Sequence, residues 1–207
     1  MKTLIVSRTK ASGGARRCVG GIAAIGEKYR SVRLMNPAHL YRKGDQQYRG
    51  KGFWSKGAPF QVGQLWDLDL ETRKNTKPPH VEDVIVRERE FIREAEDSNL
   101  RDWLRKCVGH MSPSFLWKGE PQRLFGGKLK STKSRDGTGY AVEENVPRRS
   151  TGFWIPNRDL VLQPNGKHFK YQGDYKHRGI SRLKHIGEST PPRSISRGKL
   201  VRVSLSR

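Results

Sequence analysis

The chain has 207 residues, with 42 Lys or Arg against 20 Asp or Glu, and its formal net charge is +22. So large a charge repels itself unless a polyanion neutralises it, which predicts an anionic polymer as the partner. The sequence has no run of about 18 apolar residues, so it offers no candidate for a transmembrane helix. Five Trp, seven Phe and six Tyr argue against a disordered chain, although the apolar fraction is only 33%.

The cysteines and the first residues predict a cytoplasmic protein. Cys18 and Cys107 are far apart and make no disulfide framework, which fits a reducing compartment. At the start, Lys2 is followed by a short apolar stretch that Ser7 and Arg8 interrupt, which is too short for a secretory signal. We therefore expect no membrane among the partners.

The charge is distributed unevenly along the chain. Residues 1–60 carry +11, residues 61–103 carry −4, and residues 104–207 carry +15. This distribution predicts two basic lobes joined by an acidic segment that neutralises them. Under the alternative, the cations are scattered over all faces and only their total matters.

The first half predicts short strands separated by turns. Residues 3–6 predict an opening strand, and residues 31–35 predict another with alternating burial. Glycines punctuate residues 13–22, which predicts a turn region between the two. The clearest strand lies within residues 59–71, where Trp66 interrupts the alternation and so predicts a bulge or burial on both faces.

One helix is predicted after the acidic region. Ser98 fits an N-cap, apolar residues follow at helical spacing from Leu100, and Gly109 ends the helix. Residues 84–96 are highly charged and fit either a helix or a strand. The second half returns to short strands, which predicts antiparallel sheets or small barrels. These strands are expected at residues 114–117, 152–155, 159–162, 169–171, 181–186 and 199–205.

Neither a phosphate-binding loop nor a metal site is predicted. The glycines of residues 21–28 have the spacing of a Walker A motif, but Glu27 stands at the lysine position and would repel phosphate. The two cysteines are isolated, and the six histidines have no metal-ligand spacing. We expect no cofactor and no metal.

Three acidic residues alternate along the clearest predicted strand. Asp67, Asp69 and Glu71 would share one face, where carboxylates can hold a divalent ion for phosphodiester cleavage. Alternating acids are also typical of the solvated face of an amphipathic strand, and in a basic protein they pair with arginines. The second interpretation is favoured, so no catalytic residue is predicted.

Cations interleaved with aromatic rings give the strongest functional indication. Cations neutralise phosphates and release counterions, and exposed rings stack on unpaired bases at about 1–3 kcal/mol each. Large rings also fill protein cores, so the cations are stronger candidates than any single ring. The predicted nucleic-acid-binding residues are Arg16, Arg17, Arg42, Lys43, Arg49, Lys51, Trp54, Lys56, Trp117, Lys118, Lys128, Lys130, Lys133, Arg148, Arg149, Trp154, Lys170 and Tyr171.

Several short segments, in order along nearly the whole chain, match the pattern of one family. They are KTLIV (2–6), CVGG (18–21), SVRL (31–34), FQVGQLW (60–66), PPHVED (78–83), STGFWIP (150–156) and VRVSLSR (201–207). In these segments the chain resembles the bacterial dual-OB domain proteins, a family named for two tandem OB-type barrels. The resemblance implies that fold and a nucleic-acid-binding role within bacterial defence or repair systems, and it carries over no catalytic residue.

Residues and resemblance together predict a mainly β protein. Two small antiparallel OB-like β-barrels are expected at residues 1–75 and 110–207, joined by an acidic, partly helical connector at residues 76–109. The predicted function is non-catalytic nucleic-acid binding, with single-stranded DNA or RNA favoured over duplex because OB-type grooves suit splayed bases. Protein partners in a larger bacterial nucleoprotein or defence complex are also expected. The alternatives are a structural subunit of a ribonucleoprotein assembly and a metal-dependent nuclease.

Overall fold

The structure is a computed structural model, and the chain divides into two compact units. The first unit comprises Met1–Thr76 and Glu82–Ser112, and the second comprises Lys77–Val81 and Pro113–Arg207. Within the described residues, no helix has the length and apolar character needed to cross a membrane. The structure describes residues 1–11, 14–39, 52–74, 76–94, 103–104, 106–107, 109–110, 115–131, 139–172 and 179–205.

The first unit is built from six strands, five of which close into a barrel. The strands are β1 (Lys2–Ala11), β2 (Arg16–Ile25), β3 (Lys28–Met35), β4 (Trp54–Ser55), β5 (Gln64–Thr72) and β6 (Asp83–Glu94). The hydrogen-bonded order is β1-β5-β6-β3-β2, and β2 pairs with β1 again, which closes the ring. Neighbours in the ring are antiparallel except β3 and β6, which run parallel. This is a small five-stranded Greek-key barrel.

The glycine-rich segment that predicted a turn is instead a barrel strand. Most of residues 13–22 lie in β2, which pairs with β1 on one side and β3 on the other. A Cβ atom on Gly21 would come within 2.7 Å of Thr3 Cγ2 and 3.2 Å of the Leu4 carbonyl oxygen. Glycine is therefore needed here for close approach of the backbones and not for a turn. The prediction was wrong because these two uses of glycine look alike in a sequence.

The acidic segment forms part of the barrel wall. Residues 84–96, which fitted either a helix or a strand, lie mostly in β6, and β6 pairs with β5 along its length. The structure thus differs from the predicted connector at residues 76–109, because much of its charge lies on a strand of the first unit. A count of charge along the chain cannot distinguish a linker from the solvated face of a strand.

Aromatic side chains fill the barrel interior. The Phe60 ring lies 4.8 Å from the Trp54 ring and 5.0 Å from the Trp66 ring, measured between centroids, and both contacts are edge-on. Trp66 is in phase with the buried Leu68, so it points into the core. Trp54 Nε1 donates a hydrogen bond of 2.9 Å to the Leu34 carbonyl, which satisfies its polar group within the core.

A helical segment packs on the outside of β3. The described residues between 103 and 109 are helical, as predicted, whereas the expected N-cap at Ser98 lies outside the described residues. The Tyr29 ring on β3 lies 5.4 Å from the Trp103 ring and 6.3 Å from the His110 ring. Cys107 on the same segment is fully buried, and burial raises the pKa of its thiol to about 12. This cysteine is therefore a packing residue with no thiolate at neutral pH.

The second unit is also built from short strands. They form a three-stranded sheet in the order β15-β10-β7, a four-stranded sheet in the order β13-β12-β11-β14, and a two-stranded sheet of β8 and β9. Beside them, 3-10 turns lie within Pro121–Gly127, where a kink at Leu124, Phe125 and Gly126 interrupts the helix, and a 3-10 helix spans Glu143–Asn145. The strands are β7 (Leu116–Gly119), β8 (Leu129–Ser131), β9 (Gly139–Ala141), β10 (Thr151–Pro156), β11 (Leu160–Leu162), β12 (His168–Tyr171), β13 (Arg182–Lys184), β14 (Ser194–Ile195) and β15 (Val201–Ser204).

One hydrophobic core joins the sheets of the second unit. Trp154 from the three-stranded sheet and Tyr171 from the four-stranded sheet lie in the same buried cluster, with ring centroids 6.0 Å apart. Trp154 Nε1 donates a 2.9 Å hydrogen bond to the Gly119 carbonyl, and the Tyr171 hydroxyl donates to Asn157 Oδ1. The mainly β class that the sequence predicted is confirmed in both units.

Candidate nucleic-acid interface

A row of cationic side chains covers the outer face of the four-stranded sheet. Lys170 on β12 lies directly opposite Arg182 on β13, and His168 lies directly opposite Lys184. Alternation along each strand puts these four side chains on one face. We call them the sheet patch. Lys170 and Lys184 are exposed, whereas Arg182 and His168 are half-buried.

The opposite face of the same sheet explains why the patch is held in place. Phe169 and Tyr171, which alternate with the patch residues along β12, are buried in the core of the second unit. Leu160 on the neighbouring β11 is buried in the same cluster. Because a one-residue slip would exchange the apolar and cationic faces, this burial fixes the register and so the position of each cation.

His168 orients the guanidinium group of Arg182. Arg182 Nη2 lies 3.1 Å from His168 Nδ1, and Asn165 Nδ2 lies 3.2 Å from the same nitrogen. The Asn165 Oδ1 atom accepts from the Lys167 amide, so its NH₂ group faces the imidazole. Both neighbours are donors, which assigns Nδ1 as the acceptor of a neutral imidazole with its proton on Nε2.

A second cationic surface lies on the first unit, beside the β1–β2 hairpin. Arg16 on β2 lies opposite Ser55 on β4, and Lys56 follows Ser55 in the chain. Arg8 donates through Nη2 to the Lys56 carbonyl and through Nη1 to the Phe60 carbonyl. Arg16 and Lys56 are exposed. We call Arg8, Arg16 and Lys56 the hairpin patch.

The outer face of β5 and β6 has the opposite charge. Asp67 lies directly opposite Glu90, and Asp69 lies directly opposite Glu88. We call these four residues the acidic face. The N-terminal ammonium group lies 2.6 Å from Asp67 Oδ1, and its hydrogen bond and charge lower the pKa of that carboxyl. In the described part of the chain, the acidic face does not supply three ligand atoms within 4.8 Å of one another.

Three of the four rings predicted to stack on bases are core residues. The exposed fraction is 4% for Trp54, 0% for Trp154 and 1% for Tyr171. Each has its polar atom bonded inside the protein, so none can stack on a base without leaving the core. Trp117 is half-buried and packs 4.7 Å from the Phe125 ring. Trp54, Trp154 and Tyr171 are therefore corrected to packing residues, because a chain with few apolar residues needs its large rings in its cores.

The predicted cations fall into four groups: those in the two patches, those held inside the protein, those at the surface elsewhere, and those outside the described residues. The structure brings Arg16 and Lys56 together in the hairpin patch and places Lys170 in the sheet patch, whereas it buries Arg17, whose Nη1 donates to the Gly14 carbonyl. The Arg149 guanidinium carbon lies 3.3 Å from the Phe115 ring centroid, so that side chain is stacked within the second unit. Exposed or half-buried at other places are Lys118, Lys128, Lys130 and Arg148. Outside the described residues are Arg42, Lys43, Arg49, Lys51 and Lys133.

Sequence reasoning did not select three members of the sheet patch. They are His168, Arg182 and Lys184, and only Lys170 was selected. A signal was present, because Arg182 and Lys184 flank an apolar residue in a predicted strand and so must share a face. What the sequence could not give is the neighbouring strand, since cross-strand register depends on the turn that joins the strands.

A buried ion pair fixes the parallel contact between β3 and β6. Arg33 Nε and Nη2 lie 2.6 and 2.8 Å from the two carboxylate oxygens of Asp83, and Arg73 Nη1 lies 3.2 Å from Asp83 Oδ2. Burial by itself would lower the pKa of Arg33, but the hydrogen bonds and charge of Asp83 outweigh it and raise that pKa. With its two oxygens bound by guanidinium groups, Asp83 serves the barrel wall.

The comparison with known families agrees with this architecture. The sequence matches the family described as dual OB-containing domain over residues 1–206. No curated protein and no solved structure matches the chain significantly. An OB fold is a five-stranded Greek-key barrel that commonly binds nucleic acids, and the first unit shows such a barrel. Because the match spans nearly the whole length, the chain belongs to the dual OB-containing domain family.

Proposed function

We propose that this chain binds nucleic acid without catalysis and holds the phosphate backbone with the sheet patch. The observation that carries the proposal is the pairing of Lys170 with Arg182 directly across two strands. Like charges directly opposite one another destabilise a sheet, by an amount comparable to the roughly 0.2–1 kcal/mol that favourable cross-strand pairs contribute. A bound phosphate group would bring a negative charge close to both cations.

The protein reads the backbone more than the bases. The rings predicted to stack are mostly buried, whereas four of the patch cations are exposed, namely Lys170, Lys184, Arg16 and Lys56. Binding that depends on phosphate contacts is steeply salt-dependent and carries little sequence information. Single-stranded DNA or RNA is the favoured ligand because OB-type surfaces track a flexible backbone.

Metal-dependent cleavage is the weaker alternative. Two of the three acids that suggested it already pair with a cation of the same chain, since the N-terminal ammonium group binds Asp67 and Arg87 binds Glu71. Carboxylates that are already neutralised by cations of the same chain are poor metal ligands. The proposal therefore assigns no catalytic residue.

Salt titration with a single-stranded oligonucleotide tests the proposal. The triple variant Lys170→Ala, Arg182→Ala, Lys184→Ala removes the patch cations, and each lost phosphate contact lowers the slope of log K against log salt by about 0.7. We therefore expect a slope smaller by about 2 than that of the unchanged protein. Affinity is measured by fluorescence anisotropy at several salt concentrations.

A matched control removes the same charge elsewhere in the chain. Lys2, Lys74 and Lys106 are exposed on the first unit, and their triple alanine variant has the same net charge as the sheet-patch variant. We expect this control to retain most of the slope. Equal losses in the two variants would show that binding follows the total charge and would overturn the assignment to the sheet patch. A flat salt dependence in the unchanged protein would overturn nucleic-acid binding itself.

A further inference from the structure

The second half of β6 presents an open sheet edge on the first unit. β3 pairs with β6 only through Asp83, Val84 and Ile85, whereas β5 follows β6 to its end at Glu94. No strand in the described part of the chain pairs with the other edge of residues 87–94. All eight of these residues are exposed. An edge of this length is a template for pairing with another strand.

Two exposed apolar residues lie in the middle of this edge. Phe91 is 46% exposed and Ile92 is 40% exposed, and they are adjacent in the sequence. The Phe91 ring also contacts the buried Trp66 ring edge-on, at 5.3 Å between centroids. Its position is therefore fixed by the barrel core, while much of its surface is left to solvent. Apolar residues on an open edge indicate an interface.

A bulge places Phe91 and Ile92 on the same face of the sheet. Phe91 lies opposite Trp66 and Arg93 lies opposite Leu65, so Ile92 is the extra residue of the β6 strand. In a bulge of this kind the two residues opposite one partner point to the same side. The alternation of β6 is shifted by one position from this point onward.

The shift puts Arg89 and Glu94, which have opposite charges, on the same face of the sheet. Arg89 and Glu94 lie opposite the core-side residues Leu68 and Gln64, so both are on the inner face. In a strand without a bulge, an odd separation would put this pair on opposite faces.

The second pair lies on the other side of the sheet. Glu90 lies opposite Asp67, and Arg93 lies opposite Leu65, and both partners point away from the core. The odd separation of Glu90 and Arg93 is again compensated by the bulge.

We propose that two copies of this chain pair through the β6 edge, antiparallel and related by a two-fold axis at Phe91 and Ile92. In this register Arg89 meets Glu94 of the second copy, and Glu90 meets Arg93. Phe91 meets Ile92, and the symmetry repeats each contact. All six cross-strand pairs are then complementary, four by charge and two by apolar contact.

The symmetry explains why the occupant is a second copy. A two-fold axis normal to a sheet generates antiparallel neighbours and keeps each face, so directly opposed residues must point the same way. The bulge satisfies this condition for all three kinds of pair. An unrelated strand would have to reproduce the same alternation of charges to avoid placing like charges together. The pairing depends on the barrel alone and does not rest on the proposed nucleic-acid binding.

Charge exchange tests the pairing, with the mass of the nucleic-acid-free protein measured by light scattering and sedimentation. We expect the unchanged protein to show twice the mass of one chain at high concentration. Glu90→Arg places two arginines together and Arg93→Glu places two glutamates together, so each single variant is expected to be monomeric. A mixture of the two single variants is expected to dimerise, because the two arginines of one chain then face the two glutamates of the other.

The double variant Glu90→Arg, Arg93→Glu exchanges the charges within one chain and is expected to restore the dimer. Lys74→Glu changes the charge of the same unit away from the edge, and this control is expected to remain dimeric. Near-ultraviolet circular dichroism reports whether each variant retains its packed tryptophans. A monomeric unchanged protein, or folded single variants that fail to associate when mixed, would overturn the proposal.

Discussion

The sheet patch and the acidic face are built in the same way with opposite charge. In each, two antiparallel strands place like charges directly opposite one another, Lys170 opposite Arg182 in one case and Asp69 opposite Glu88 in the other. Both arrangements cost stability in the free protein. The two surfaces differ in how the repulsion is reduced. On the acidic face, the N-terminal ammonium group binds Asp67 and supplies a positive charge.

This difference favours the sheet patch over the acidic face as the surface that binds a ligand. On the acidic face, a cation of the same chain already supplies the opposite charge. On the sheet patch, Arg182 contacts His168, a neutral acceptor that orients the guanidinium group and adds no negative charge. Under the proposed function, the negative charge that the sheet patch attracts comes from the phosphates of a bound nucleic acid.

The largest expected effect comes from a third cross-strand pair, in which the charges are opposite and buried. Arg33 lies directly opposite Asp83, and removing one partner of a buried pair leaves an uncompensated charge. We expect Asp83→Ala to lower the free energy of unfolding by about 3–5 kcal/mol in urea titration. The exposed pair of Glu71 and Arg87 is the control, and Glu71→Ala is expected to cost at most about 1 kcal/mol. Similar losses at the two sites would show that burial does not set the strength of these pairs.

Reversing one charge on each face separates binding from general electrostatics. Lys170→Glu is expected to weaken single-stranded oligonucleotide binding roughly tenfold, which corresponds to about 1.4 kcal/mol. Asp69→Lys changes the net charge by the same amount in the other direction, and we expect it to leave affinity within about twofold because it lies on the acidic face. Anisotropy titrations at one salt concentration measure both. A gain from Asp69→Lys as large as the loss from Lys170→Glu would remove the distinction between the faces.

The same two variants are expected to stabilise the free protein slightly. Lys170→Glu places a carboxylate opposite Arg182, and Asp69→Lys places an ammonium group opposite Glu88, so each converts a like-charged pair into a complementary one. We expect a gain of about 0.2–1 kcal/mol in unfolding free energy for each. Urea denaturation measures it. A loss of stability in either variant would mean that the like charges are already neutralised in the free protein.

The smallest expected effect is a pH dependence at Asp67. Its pKa is lowered from 3.8 by the N-terminal ammonium group, so the folded state holds the charged form more strongly than the unfolded state does. This contribution is present above the unfolded pKa and is lost as pH falls through the folded pKa. NMR titration of the Asp67 carboxyl carbon is expected to give a midpoint below 3.8. A midpoint at or above 3.8 would show that the ammonium contact does not persist in solution.

The sequence predicted where the strands lie better than it predicted which strands pair with one another. Alternation marked β5 and the strand that carries Lys170, because period-two burial is a local property of the chain. The prediction failed at β2, where the closed barrel brings Thr3 so close to Gly21 that a larger residue would not fit. The family match adds the dual-OB fold, but the closure of β1 on β5 is visible only in the structure.

The candidate site was predicted only in part, because burial and cross-strand register also depend on the folded structure. Trp54 and Trp154 were predicted as stacking rings but are buried, because the sequence alone does not distinguish an exposed ring from a buried one. The members of the sheet patch come from β12 and β13, which a segment outside the described residues separates, so their convergence depends on register. Lys170 was found because a cation between two aromatic residues stands out in any sequence.

Closure of the first barrel sets the order of events during synthesis. β1 completes the ring only by pairing with β5, and β3 requires β6, which ends at Glu94. A nascent chain therefore displays its first sixty residues, with a charge of +11, before these long-range contacts can form. We expect protease to cleave β1 in ribosome-bound chains in which Glu94 has not yet emerged from the ribosome, and β1 to resist once Glu94 has emerged. Early protection of β1 would show that the hairpin folds without the ring.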